Sequence, residues 1–198
     1  AQPALFALQT ALTALWASWG VKPSAVLGHS VGEIAALHAS GALGLDEAAR
    51  IVVRRGEAMQ AATGAGSMAA VGLTQAEALD IVAAYPGRLD LAAVNAPRST
   101  VLSGESEALT EALASLAARG VTVRPMQVDY AFHSTQMTAH AEAFARTLGP
   151  VAAARPATPV FSTLSGEELA ATVDAQYFAQ AIREPVRFAP AIERLLVD

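Results

Sequence analysis

Apolar and polar positions along the chain fall into blocks that switch between helical and extended spacing. Residues 3–19 carry Leu5, Phe6, Leu8, Leu12, Leu15, Trp16 and Trp19, apolar around much of a helix circumference. The spacing predicts a buried helix that Gly20 and Pro23 end. Ser24-Ala25-Val26-Leu27 is short and apolar enough for a buried strand, and Glu33 to Ala39 reads as the helix that follows it. Gly41 to Gly44 breaks the chain, and Asp46 is placed to cap a second helix running through Arg50, Val53 and Met59. Alternating helices and continuous apolar strands predict an α/β layered fold around a mostly parallel sheet.

Residues 67–130 follow a different order. Ser67 to Leu73 reads as a strand, and Thr74 to Ala84 as a helix opened by a Thr74–Glu77 capping box. Leu89 to Val94 and Ser99 to Ser103 are strand-like runs around the turn Asn95-Ala96-Pro97-Arg98. Ser106 to Arg119 is helical and closes at Gly120, and Val121 to Val128 is again extended. The sequence β-α-β-β-α-β is the ferredoxin-like arrangement, which builds its own sheet. We therefore expect a discontinuous α/β core, residues 1–66 and 131–198, with a ferredoxin-like subdomain, residues 67–130, inserted into it.

Composition narrows the function classes. A chain of 198 residues with 53% hydrophobic and 16% charged content supports a filled core rather than disorder. The net charge of −5, with 13 Lys and Arg and no basic cluster, argues against a nucleic-acid partner. No apolar run reaches membrane-spanning length, and no basic-then-apolar leader opens the chain. The absence of cysteine excludes disulfides and thiolate sites without fixing the compartment, and a cytoplasmic setting is the default expectation. Both ends run directly into helical patterns, as expected of a piece of a longer polypeptide.

Candidate chemistry centres on Gly28-His29-Ser30-Val31-Gly32, between the first strand and its helix. A serine flanked by glycines two residues away on each side matches the G-x-S-x-G nucleophile elbow. Gly28 and Gly32 are expected where a Cβ would collide with the neighbouring strand or helix. The turn aims the Val31 N–H at an oxyanion forming on Ser30. The plainer reading is a glycine-bounded turn with a capping serine.

A serine hydroxyl needs a base. His29 should leave the turn on the side opposite Ser30, and His38 and His140 fall in helical patterns. His133, in Tyr130-Ala131-Phe132-His133-Ser134, lies where the chain returns from subdomain to core, the expected place for a cleft. Of the adjacent Arg54 and Arg55, periodicity turns one inward. An inward Arg55 would present a planar fork to a carboxylate, whereas a surface arginine would pair with Glu57 or Asp46.

Gly28 to Glu33, Arg55-Gly56-Glu57-Ala58-Met59-Gln60, Gly64 to Val71 and Tyr130 to Ser134 occur in the order and spacing of malonyl-CoA:acyl-carrier-protein transacylases. Val94 to Val101 and Arg183-Glu184-Pro185-Val186-Arg187-Phe188 resemble the acyltransferase domains of modular type I polyketide synthases, and the likeness covers essentially the whole chain. The resemblance implies a hydrolase-like core carrying a ferredoxin-like subdomain, Ser30 as acylated nucleophile, His133 as base and Arg55 as clamp for the extender's carboxylate. It implies acyl-CoA as substrate and the phosphopantetheine arm of an acyl carrier protein as acceptor, with ketosynthase and linker neighbours and no bound cofactor or metal.

Two departures from the family pattern stand out. The opening glycine–glutamine motif, which supplies a second oxyanion N–H in that family, is not among these residues, so the 198 residues alone are expected to be inactive or impaired. Ala181, after Gln180, stands where the family carries an Asn or Gln whose region orients the histidine. It serves only if that contact is made through backbone. No triad carboxylate is evident, which favours a Ser–His dyad.

Malonate-loading domains of that family tend to carry His-Ala-Phe-His, and methylmalonate-loading ones Tyr-Ala-Ser-His; this chain has the hybrid Tyr130-Ala131-Phe132-His133. Phe132 should fill the space of an α-methyl, and Val31 resembles malonyl-type elbows, which favours malonyl over methylmalonyl. One methyl in a pocket discriminates by only about 1–3 kcal/mol. A serine hydrolase on the same elbow and a non-catalytic docking element of a synthase are the alternatives.

Overall fold

The computed structural model describes residues 1–64 and 66–197; Ala65, inside the Gly64–Val71 motif, and Asp198 lie outside the described residues. In the core lobe, β1 (Val26–Leu27) and β6 (Val160–Phe161) pair in parallel, Val26 against Val160 and Leu27 against Phe161. Around them pack α1 (Gln2–Ser18), α2 (Gly32–Ala39), α3 (Leu45–Gln60), α6 (Thr138–Leu148) and α7 (Ala175–Arg183). Their shared interior includes Phe6, Ile34, Leu37, Ile51, Phe144, Phe178 and Ile182. Burial of such side chains is the main stabilising term, about 1.5–3 kcal/mol each.

The second lobe is a five-stranded mixed sheet in the order β5-β2-β4-β3-β7. It comprises β2 (Ser67–Val71), β3 (Leu89–Ala96), β4 (Ser99–Gly104), β5 (Val123–Pro125) and β7 (Val186–Arg187). With α4 (Gln75–Ala84) and α5 (Ser106–Ala118), the run β2-α4-β3-β4-α5-β5 is the ferredoxin-like order anticipated from the pattern. One sheet face and the two helices enclose Leu73, Leu89, Leu102, Leu109 and Leu116. The other face buries Met68, Ala92, Val101 and Val186, with Tyr130 and Phe132 against them. Phe132 also packs on the core-lobe interior, so it bridges the two lobes.

β7 comes from beyond the inserted stretch and pairs in parallel with β3, Ala93 against Val186 and Val94 against Arg187. The sheet thus draws a strand from the segment that runs straight into α8 (Phe188–Val197). This is how residues after position 180 reach the join between the lobes.

Several local expectations are corrected. The helix over 3–19 forms, but of its residues only Phe6 is buried; Trp16 and Trp19 are 53% and 63% exposed. A helix that is apolar all round can set only one strip against α2 and α3, and the remaining apolar side chains face outward. Gly44, not Asp46, caps α3, and Asp46 and Glu47 fall in its first turn, where they complement the helix dipole. β5 spans three residues rather than Val121 to Val128, and β3 continues through Ala96, which narrows the turn to Pro97-Arg98. The Thr74–Glu77 capping box forms as expected. No helix among the described residues is long and apolar enough to cross a membrane.

Candidate active site

Among the described residues two non-glycine positions adopt positive φ: Ser30 at 54° and His133 at 57°. Left-handed backbone at such residues costs on the order of 1–3 kcal/mol and collects at functional sites. Here the two strained residues touch. Ser30 Oγ lies 2.9 Å from His133 Nε2, although 103 positions separate them in sequence.

The elbow sets the serine's side of that contact. β1 ends at Leu27, and the turn back into α2 is so tight that a Cβ on Gly28 would stand 2.2 Å from backbone atoms of Gly32. Gly28 therefore has to be glycine. Gly32 is different and corrects the expectation: a Cβ there would meet only the Gln9 amide at 3.5 Å, ordinary contact. The N–H groups of Gly32, Glu33 and Ile34 donate to the carbonyls of His29, Ser30 and Val31. The Val31 N–H, just ahead of α2, has no protein acceptor among the described residues. It remains available beside Ser30.

His133 is held from behind by backbone. Its Nδ1 lies 2.9 Å from the Glu184 carbonyl, and its own N–H donates to the Ile182 carbonyl at 3.0 Å. A carbonyl only accepts, so Nδ1 carries the proton and the Nε2 lone pair faces Ser30. The Ser30 hydroxyl then donates to Nε2. Ala181 is not the anchor that its position had pointed to; it borders a small hollow with Ser30, Glu33 and Glu184, and the Glu184 carbonyl orients the ring. Burial pushes the imidazole pKa down to about 3, and the Arg55 charge pushes the same way against the Glu184 hydrogen bond. At neutral pH the ring is therefore a neutral acceptor.

Arg55 is the inward arginine. It is 3% exposed on α3, whereas Arg54 faces solvent and pairs with Glu57. One arm of its guanidinium, Nη2, donates to Ser30 Oγ at 2.9 Å, and the other, Nη1, donates to Gln2 Oε1 at 2.7 Å. Burial lowers its pKa to about 10, partly offset by the Glu33 charge, so it stays cationic at neutral pH. Among the described residues no carboxylate hydrogen-bonds to it.

Two contributors were missed in the sequence reading. Glu33, in the first turn of α2, is buried and accepts from Thr163 N at 3.0 Å, Thr163 Oγ1 at 2.6 Å, Ser162 Oγ at 2.9 Å and the Tyr177 hydroxyl. The Tyr177 hydroxyl is pushed up from its ordinary pKa by burial and by the Glu33 charge. The available signal was a charged residue inside the apolar run Gly32 to Leu37. Gln2 gave no signal, because a glutamine at a helix start usually meets solvent.

The remaining candidates separate cleanly. Tyr130 and Phe132 stack at 3.7 Å between centroids and, with Gln2, Met59 and Gln60, line a cleft of about 430 Å³. His29 turns away from the serine, its Nε2 2.8 Å from Asn95 Oδ1 on β3. His38 sits 2.9 Å from the Leu43 carbonyl, and His140 lies on α6.

Polyketide synthase GfsB of Streptomyces halstedii is 45% identical over all of this chain, which amounts to 4% of that protein. Erythronolide synthase EryA2 of Saccharopolyspora erythraea is 46% identical over 98% of the chain and 6% of its own length. The acyltransferase domain from the second module of the salinomycin polyketide synthase superposes with a TM-score of 0.94 at 43% identity, covering 99% of this chain and 46% of that one. The chain thus spans a small part of these synthases and about half of the solved domain. The acyl transferase domain family matches residues 1–198, and the chain belongs to that family, as an acyltransferase domain of the modular polyketide synthase kind.

Proposed function

We propose that this domain takes a carboxylate-bearing extender unit, malonyl before methylmalonyl, from acyl-CoA and passes it to an acyl carrier protein through an ester on Ser30. The observation that carries the reading is the Arg55 guanidinium, buried, cationic and bonded to Ser30 Oγ without a carboxylate of its own.

In the first step the Ser30 Oγ–H proton passes to His133 Nε2 as Oγ attacks the thioester carbon. The developing oxyanion takes the Val31 N–H. The C–S bond breaks, the proton moves from His133 to the departing sulfur, and CoA leaves as a thiol. In the second step the phosphopantetheine thiol gives its proton to His133 and attacks the acyl-serine carbon. The C–O bond breaks and the proton returns to Ser30. Each His133 cation forms beside Arg55, whose charge opposes it. A substrate carboxylate on the Arg55 fork offsets that charge and draws Nη2 away from Ser30, so the correct acyl group strengthens base and nucleophile together.

Phe132, packed between the lobes and stacked on Tyr130, supports malonyl over methylmalonyl because its ring occupies the wall of the cleft beside Gln2 and Met59. Carrier protein and neighbouring ketosynthase and linker domains are the partners this reading requires, in the cytoplasm. The test is intact mass of the synthase polypeptide after incubation with malonyl-CoA and, separately, methylmalonyl-CoA. A malonyl adduct that maps to Ser30 and disappears in Ser30→Ala is expected. An adduct that persists in that variant would overturn the site, and equal loading of both units would overturn the malonyl preference.

A further inference from the structure

We infer that Gln2 is a positioning and specificity residue: its neutral amide aims the Arg55 fork at the acyl site while leaving the cation free for a substrate carboxylate. The inference rests on the extender-carboxylate reading of Arg55.

Gln2 opens α1, and its side chain crosses to α3, 53 residues away, where Oε1 accepts from Arg55 Nη1 at 2.7 Å. A guanidinium only donates, so the amide atom facing it has to be the oxygen, and this settles the amide orientation. Nε2 then faces Met59 Sδ at 2.9 Å, a weak acceptor that competes poorly for the amide protons. Gln2 and Met59 also line the cleft bounded by Tyr130 and Phe132. A line of side-chain contacts therefore links the cleft wall through Gln2 to Arg55 and on to Ser30.

The chemistry of this partner decides what Arg55 can do. A buried arginine of ordinary structural type meets a carboxylate, and its charge is then spent inside the protein. Here both arms go to neutral oxygens, a carboxamide and a hydroxyl. The amide supplies direction without charge. A carboxylate arriving on the acyl chain meets a guanidinium already turned toward the serine and still carrying its full cation. It displaces the Ser30 contact, while the Gln2 contact keeps the plane of the fork from rotating. Gln2 acts through Arg55, and it selects for carboxylate by staying neutral.

The experiment uses the full synthase polypeptide and compares kcat/KM for malonyl-CoA and octanoyl-CoA in parent, Gln2→Met, Gln2→Glu, Arg55→Ala and the Gln2→Met/Arg55→Ala pair. Gln2→Met removes the acceptor at similar size, and the malonyl-to-octanoyl ratio should fall about 10-fold, carried by KM for malonyl-CoA. Gln2→Glu keeps the shape and adds the missing charge, and the ratio should fall further, by about 100-fold. In the Arg55→Ala background Gln2→Met should move the ratio no further, because its effect runs through the guanidinium. Equal losses on both substrates, or a ratio unchanged in Gln2→Glu, would overturn the inference and show Gln2 as packing only. A parent without preference for malonyl-CoA would instead overturn the carboxylate reading, and the role of Gln2 with it.

Discussion

Two charges, Glu33 and Arg55, are buried close to the same serine in space, and they are handled in opposite ways. Glu33 is saturated: a backbone N–H and three hydroxyls converge on its two oxygens. These donors come from Ser162 and Thr163 after β6 and from Tyr177 on α7, so the carboxylate ties the first turn of α2 to the far side of the core lobe. Arg55 has two neutral acceptors, one of them the hydroxyl of Ser30 itself. A buried charge whose hydrogen bonds are all met by the protein fixes geometry. One that is left without a hydrogen-bonded carboxylate, as Arg55 is, keeps donors for what else can bind. The elbow is therefore held by the carboxylate, and in the proposed function it is read out by the guanidinium.

The comparison is broken most severely at the base that faces the shared serine. His133→Ala removes the acceptor for the Ser30 proton and should slow acylation by about 10²–10⁴-fold for every acyl-CoA alike, measured by single-turnover mass spectrometry. Acylation at the parent rate would show that Ser30 is activated some other way. The same histidine links the site to pH. Its folded pKa of about 3 lies below the ordinary value near 6.5, so the unfolded chain binds a proton that the folded site refuses. Stability should fall as pH drops below about 6.5, by up to roughly 1.4 kcal/mol per pH unit from this group, and level off near pH 3. His133→Ala should flatten that acid limb in denaturant titrations; an unchanged limb would mean other groups set it.

Glu33→Gln sharpens the contrast from the structural side. An amide cannot accept from all of the donors that now converge on the carboxylate, and its NH₂ would face one of them. The expected loss is about 2–4 kcal/mol of stability, a drop in Tm of roughly 5–15 °C. Malonyl- and octanoyl-CoA turnover should decline together. A selective loss of malonyl turnover with unchanged Tm would place Glu33 on the substrate side of the comparison.

Phe132→Ser carries the smallest expected effect. Opening the cleft wall should raise methylmalonyl against malonyl loading by about tenfold, the equivalent of one buried methyl. An unchanged ratio in a competition assay would show that this ring does not gate the α-carbon.

Much of this was legible before the structure, because it depends on patterns that local sequence carries. The tight turn at Gly28, the capping box at Thr74 and the β-α-β-β-α-β order are short-range features, and they formed where the spacing placed them, although Gly32 is not sterically required. Helical phase said only that one of Arg54 and Arg55 turns inward; the family resemblance pointed to Arg55, which is the buried one. What could not be read has a common physical basis. The anchor of His133 is a backbone carbonyl, which every residue owns, so the identity of Ala181 was a poor guide to it. Gln2 and Glu33 act through contacts 53 and about 130 residues away, which periodicity does not encode. The apolar pattern of α1 showed that the helix avoids water without showing which side would find cover, and only Phe6 did.

The central claim is that Arg55 keeps its charge for a substrate carboxylate, and Arg55→Ala tests it most directly. The measurement is kcat/KM of the synthase polypeptide for malonyl-CoA against octanoyl-CoA, in parent and variant. Removing the guanidinium leaves the malonyl carboxylate desolvated and unpaired, at a cost of about 3–5 kcal/mol, so malonyl transfer should fall by about 10²–10³-fold or more. Octanoyl transfer should hold or rise as the site becomes apolar and Ser30 is freed of a competing donor, inverting the preference. Equal losses on both substrates would contradict the account and leave Arg55 as one more structural charge, like Glu33.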